Sequence, residues 1–117
     1  MKKGRDSVYF FQDIHKACES ISKFIYEYGF EDFKQDEKTI FAVIRALEII
    51  GEASKKIPKQ IKELFQEINW KEMAQMRDKL IHDYTGVDID IVYETCKKDI
   101  PVLQQRIKKA LEILLDS

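Results

Sequence analysis

With 117 residues, 44% of them apolar and 35% charged, and a formal charge of −1, the chain has enough material for one hydrophobic core and not for two. No apolar run approaches the roughly 20 residues of a membrane span, and the near-neutral balance leaves any nucleic-acid contact to a local patch. Four glycines and two prolines leave little for turns, which favours long helices, an all-α fold and a single helical domain over residues 1–117.

Phe10, Ile14, Ala17, Cys18, Ile21, Phe24, Ile25 and Tyr28 recur at three-and-four spacing, so a first helix is expected from about Arg5 to Tyr28, with Gly29 as its stop. "FEDFKQDEK" reads as a polar link. A second helix runs from about Glu37 to Lys56 and closes at Ile57 and Pro58. It is apolar on several sides: Ile40, Val43, Ile44, Leu47, Ile50 and Gly51 form one stripe, Phe41 and Ile49 lie on another side, and Ala42, Ala46 and Ala53 line a third. Such a helix is central or at a subunit interface. Gly51 within it costs about 1 kcal/mol relative to alanine, so it should mark the close approach of another backbone.

A short helical piece is expected around Lys59 to Phe65. In "NWKE", Asn69 caps a helix that starts at Trp70, with Glu72 placed to reach back to the cap. The last helix begins near Asp88 or Asp90 and runs to about Leu115, with Val92, Cys96, Ile100, Leu103, Ile107, Ala110 and Leu114 inward. Pro101 removes a backbone donor inside it and should kink it. Long helices with short connections make an up-and-down bundle.

On the helix opened by Trp70, the residues Met73, Ala74, Arg77, Leu80, Ile81 and Tyr84 share its face, and Arg77 lies near the centre. A permanent cation aimed at a core must pair with an acid, snorkel or line a polar cleft. Two readings stand: a structural arginine fixed by Glu48 or Glu52, or an anion site. His82 follows five residues after Arg77, roughly 140° away on an ideal helix. It joins Arg77 only if the helix unwinds by His82, as Thr85 and Gly86 suggest, or if a second copy of the chain faces the first. A histidine at a helix end is often no more than a charge on the helix dipole. Here an arginine for phosphate, a histidine for proton transfer and a tyrosine hydroxyl fall within one short stretch, flanked by Asp78 and Asp83.

Arg77, four residues, His82, one residue, Tyr84 resembles the R-x4-6-H ribonuclease motif of HEPN domains, and with the tyrosine it resembles the HepT branch. "RALEIIGEASKKIP", "INWKEMAQMRDKLIHDYTGVD" and "DIPVLQQRI" resemble that branch's Gly-Glu-Ala helix, tryptophan-to-motif segment and proline-bearing last helix, and "RDSVYFFQDI" resembles its first. The resemblance implies a four-to-five-helix bundle that dimerises with two motifs facing across a cleft. It implies metal-independent RNA cleavage without a cofactor, with Arg77 and His82 catalytic and Asp78 and Tyr84 supporting. It also implies a toxin restrained by a small nucleotidyltransferase antitoxin that transfers AMP to Tyr84. The branch it resembles often carries asparagine at the position after the motif arginine, here Asp78.

Other features point to fewer functions. Cys18 and Cys96 stand in no metal or redox pattern, and no apolar secretory stretch follows "MKKGRDSVYFFQD", so a reducing cytoplasm and small core thiols are expected. Two histidines and unclustered cysteines make no zinc site. No phosphate-cradling glycine loop is present. His15, at the edge of the first helix's apolar face, reads as structural. Lys55, Lys56, Lys59 and Lys62, and Lys97, Lys98, Arg106, Lys108 and Lys109, form basic clusters that are solvated faces or RNA guides. The rival functions are a non-catalytic helical module that docks a nucleotidyltransferase, and a sensor in which Arg77 holds a nucleotide phosphate.

Overall fold

The computed structural model describes residues 2–82 and 88–116; the side chains of 2–5, 79, 81 and 82 are outside the description. The expectations for Asp83, Tyr84, Thr85 and Gly86 therefore lie outside the described residues. The fold is an all-α bundle, with no strand among the described residues: α1 Lys2–Phe24, α2 Phe30–Gln35, α3 Glu37–Lys56, α4 Lys59–Leu64, α5 Trp70–His82, α6 Ile89–Glu94, a π-helical turn Thr95–Asp99 and α7 Ile100–Leu115. α3 packs on α1 and α5, and α1 also packs on α7.

α1 buries Val8, Phe11, Ile14, Cys18 and Ile21, and the turn after it buries Ile25. Phe11 is fully enclosed, whereas Phe24 lies to the side of this face and is 42% exposed. The helix ends before Gly29. Glu27 turns the chain through the left-handed region at φ 62°, a conformation glycine would adopt more cheaply. Gly29 instead starts α2, its N–H donating to the Asp32 carboxylate at 3.1 Å.

The stretch expected as a polar link is that helix. Its Phe33 is fully buried, and both Phe30 and Phe33 meet the Tyr93 ring of α6, with centroids 5.5 and 5.4 Å away. Asp36 then caps α3, accepting from the Thr39 amide at 3.1 Å and hydroxyl at 2.7 Å, and from the Tyr28 hydroxyl at 2.7 Å. α3 has the expected bounds. Val43, Leu47 and Ile50 are fully buried, Ala46 and Ala53 nearly so, and Phe41 is 46% exposed.

Pro101 does not sit in one continuous α-helix. It falls in the first turn of α7, immediately after the π-helical turn. The Ile100 amide donates five residues back, to the Thr95 carbonyl. A proline at 101 lacks a donor and crowds the carbonyl four residues earlier, and the widened turn makes room for both. Val92, Cys96, Ile100, Ile107 and Ala110 stay buried across it. Burial pushes the thiols of Cys18 and Cys96 up to about 12, so both remain protonated core groups.

Candidate functional site

The site is built on α5 where it crosses α3. At its N-terminal end, α5 is anchored by Trp70, whose indole N–H donates to the Phe65 carbonyl at 3.1 Å. The Phe11 ring meets Trp70 and Phe65 edge-on, each 5.6 Å between centroids. Farther along, Gly51 of α3 faces Arg77. A Cβ at position 51 would collide with Arg77 Cβ, come within 2.7 Å of its Cγ and lie 3.0 Å from the Met73 carbonyl. Gly51 is thus the seat of the arginine as well as the point of close helix crossing. Ser54, a turn later and fully buried, satisfies its hydroxyl on the Gly51 carbonyl at 2.9 Å.

Arg77 is partly buried: its side chain is 29% exposed. Its Nε is buried with no hydrogen-bond partner among the described residues. One guanidinium nitrogen donates to Asp78 Oδ1 at 3.3 Å, and the Lys55 ammonium donates to the same oxygen at 2.5 Å. The lysine hydrogen bond, with a smaller contribution from Arg77, holds the Asp78 carboxyl below the usual carboxylate range. The acids expected as partners face elsewhere: Glu52 and Glu48 lie 3.4 and 3.9 Å from Arg45.

α5 continues as a helix through His82, so of the two arrangements that would join His82 to Arg77, unwinding by that residue is not the one seen. The backbone positions of Arg77 and His82 are therefore roughly 140° apart around α5. The imidazole and Tyr84 lie outside the described residues. Among the described residues, no group of three or more His, Cys, Asp or Glu side chains is placed to hold a metal ion.

Two features escaped the sequence reading. Lys55 looked like one lysine among several, and its tie to Asp78 spans 23 positions. A cavity of about 480 Å³ also lies between α5 and the α6–α7 arm, lined by Met76, Leu80, Ile91, Val92, Val102 and Leu103 among others. Arg77 is not among its lining residues. Four others of the clustered basic residues have local contacts: Lys62 lies over the Trp70 ring, Lys97 lies over Tyr93, Lys98 pairs with Glu94, and Arg106 donates to the Glu67 carbonyl. His15 faces Glu19 at 3.2 Å on the same helix.

The fold is thus a helical bundle that holds a part-exposed arginine against a helix crossing, beside an acid and a lysine. The comparisons give it a family. The ribonuclease HepT-like family model matches residues 14–110, and the chain belongs to that family of ribonucleases. A protein of Thermococcus cleftensis named "Probable ribonuclease HepT" is 57% identical over 86% of this chain and 91% of its own length. Provisionally named RNases of Caldanaerobacter subterraneus subsp. tengcongensis and Methanocaldococcus jannaschii are 43% and 44% identical. They cover 88% and 94% of this chain and 92% and 95% of their own lengths. No solved structure matches the chain.

Proposed function

We propose that this protein is a metal-independent endoribonuclease working as a homodimer in the cytoplasm, the toxin of a pair whose antitoxin is a small nucleotidyltransferase. The single observation that carries the catalytic reading is Arg77, a cation seated on Gly51 with its side chain still partly open to solvent. In the reaction, the RNA 2′-oxygen bonds to the adjacent phosphorus while the bond from phosphorus to the 5′-oxygen breaks. A base removes the 2′-proton, an acid protonates the leaving 5′-oxygen, and a cation stabilises charge on the phosphoryl oxygens. Arg77 supplies the cation and His82 the proton transfer.

The helical course of α5 through His82 supports the dimer. Within one chain the two motif positions point apart, and a two-fold axis lets His82 of one copy approach Arg77 of the other, giving two histidines for the two proton roles. Tyr84 contacts substrate and accepts AMP. Its oxygen bonds to the α-phosphorus of ATP, pyrophosphate leaves and the phenolic proton is lost, and the resulting phosphodiester competes with RNA for Arg77. The test is cleavage of RNA by purified wild type, Arg77→Ala and His82→Ala in the presence of a chelator. Activity that both substitutions abolish is the expected result; equal rates in wild type and His82→Ala would end the reading. With the partner transferase and ATP, intact mass should rise by one AMP in wild type and not in Tyr84→Phe.

A further inference from the structure

We infer that Lys55 is the second cation of the phosphate site, and that Asp78 occupies the phosphate's place between Lys55 and Arg77 when RNA is absent; this rests on the ribonuclease reading above. Lys55 Nζ and Arg77 donate to one and the same oxygen, Asp78 Oδ1, at 2.5 and 3.3 Å. Two cations from different helices that converge on one carboxylate oxygen can converge on one phosphoryl oxygen, which has the same charge sense and accepts the same bonds. The trio is accessible: side-chain exposure is 39% for Lys55, 47% for Asp78 and 29% for Arg77.

The geometry assigns different mobility to the two cations. The Arg77 stem lies against Gly51, so close that a methyl there would collide with it, and cannot shift far toward α3. Lys55 stands in the last turn of α3 on a flexible four-carbon stem, and can follow a phosphate as Asp78 swings outward. Asp78 then has two effects. It keeps both cations in place before binding, and it imposes a competition that an incoming phosphate must win. Salt should weaken the internal pair and the RNA contact alike.

The discriminating measurement is binding, separated from cleavage. A fluorescein-labelled single-stranded RNA with 2′-fluoro sugars lacks the attacking hydroxyl, so anisotropy with the full-length chain can be followed across a salt series. Lys55→Ala should weaken binding several-fold at low salt and lower the slope of log affinity against log salt by about 0.7, the share of one neutralised phosphate on a single strand. Lys55→Arg should restore the slope. Asp78→Asn should bind more tightly than wild type, because the competing anion is gone. Lys23→Ala, in the last turn of α1 at the opposite end of the bundle, should keep the wild-type slope.

A Lys55→Ala protein with a lowered melting temperature but a wild-type slope would overturn the inference, leaving Lys55 as a staple between α3 and α5. A wild type that fails to bind the probe would overturn it as well. The ribonuclease reading fails separately: if His82→Ala cuts unmodified RNA as fast as wild type while Lys55→Ala loses the binding slope, the two-cation site stands and the catalytic assignment does not.

Discussion

On one side, α5 comes so close to α3 that only a hydrogen atom fits between the Gly51 backbone and the stem of Arg77; on the other, the same helix borders an apolar cavity of about 480 Å³ before the α6–α7 arm is reached. The closed side fixes a charged residue by giving its stem no room, while the open side leaves methionine and leucine only partly packed. A residue that must present charge in a constant position belongs on the first. A space that the described residues do not fill is found on the second.

The contrast can be broken most severely at the foot of the closed side. Phe11→Ala removes the ring on which Trp70 and Phe65 stand and should cost about 3–5 kcal/mol, read from the urea midpoint. Next comes Gly51→Ala. The added methyl meets Arg77 Cβ and the Met73 carbonyl, and neither is the far end of a flexible chain. The strain should cost about 1–3 kcal/mol, offset in part by the roughly 1 kcal/mol that alanine gains in a helix. At a temperature where both variants are folded, Gly51→Ala should lose more RNA cleavage than Phe11→Ala, because only it displaces the root of Arg77.

On the open side the effect should be far smaller. Val102 lines the cavity yet is 44% exposed, so Val102→Ala should shift stability by no more than about 0.5 kcal/mol. An effect as large as that of Gly51→Ala would mean the open side is closed in solution. The smallest effect is set by pH. Asp78 has a folded pKa below its unfolded one, so its contribution is fully present above the unfolded value of roughly 4 and fades as pH falls through the folded value. The melting-temperature difference between wild type and Asp78→Asn should therefore be constant near neutrality and close only in acid.

Much of this architecture can be read from spacing. α3 has the bounds its apolar stripes require, α5 begins at the tryptophan after Asn69, and a glycine amid large residues did mark a close helix crossing. What escaped depends on features that spacing does not encode. α2 is six residues long, too short for a helical period to separate it from a loop that contains two phenylalanines. Glu27, in the turn after α1, adopts a conformation its residue type disfavours, so Gly29 drew the stop. The acid beside Arg77 proved to be its own neighbour, because Glu48 and Glu52 belong to the side of α3 that Arg45 serves. Lys55 joined the site through tertiary contact alone. The arginine's awkward place in an apolar stripe was legible; the lysine that shares its carboxylate was not.

The widened turn at Thr95–Asp99 joins two features of the sequence that look independent. A π-helical turn is an α-helix carrying one residue beyond what its ladder needs, and here the surplus comes just before Pro101. Removing one residue from this turn would restore α-helical hydrogen bonding and leave Ile107 and Ala110 facing the core, but it would also press the proline ring against the carbonyl four residues back. The extra residue and the proline are therefore tolerated as a pair: each lessens the cost of the other, and a lineage that lost one would be expected to lose both.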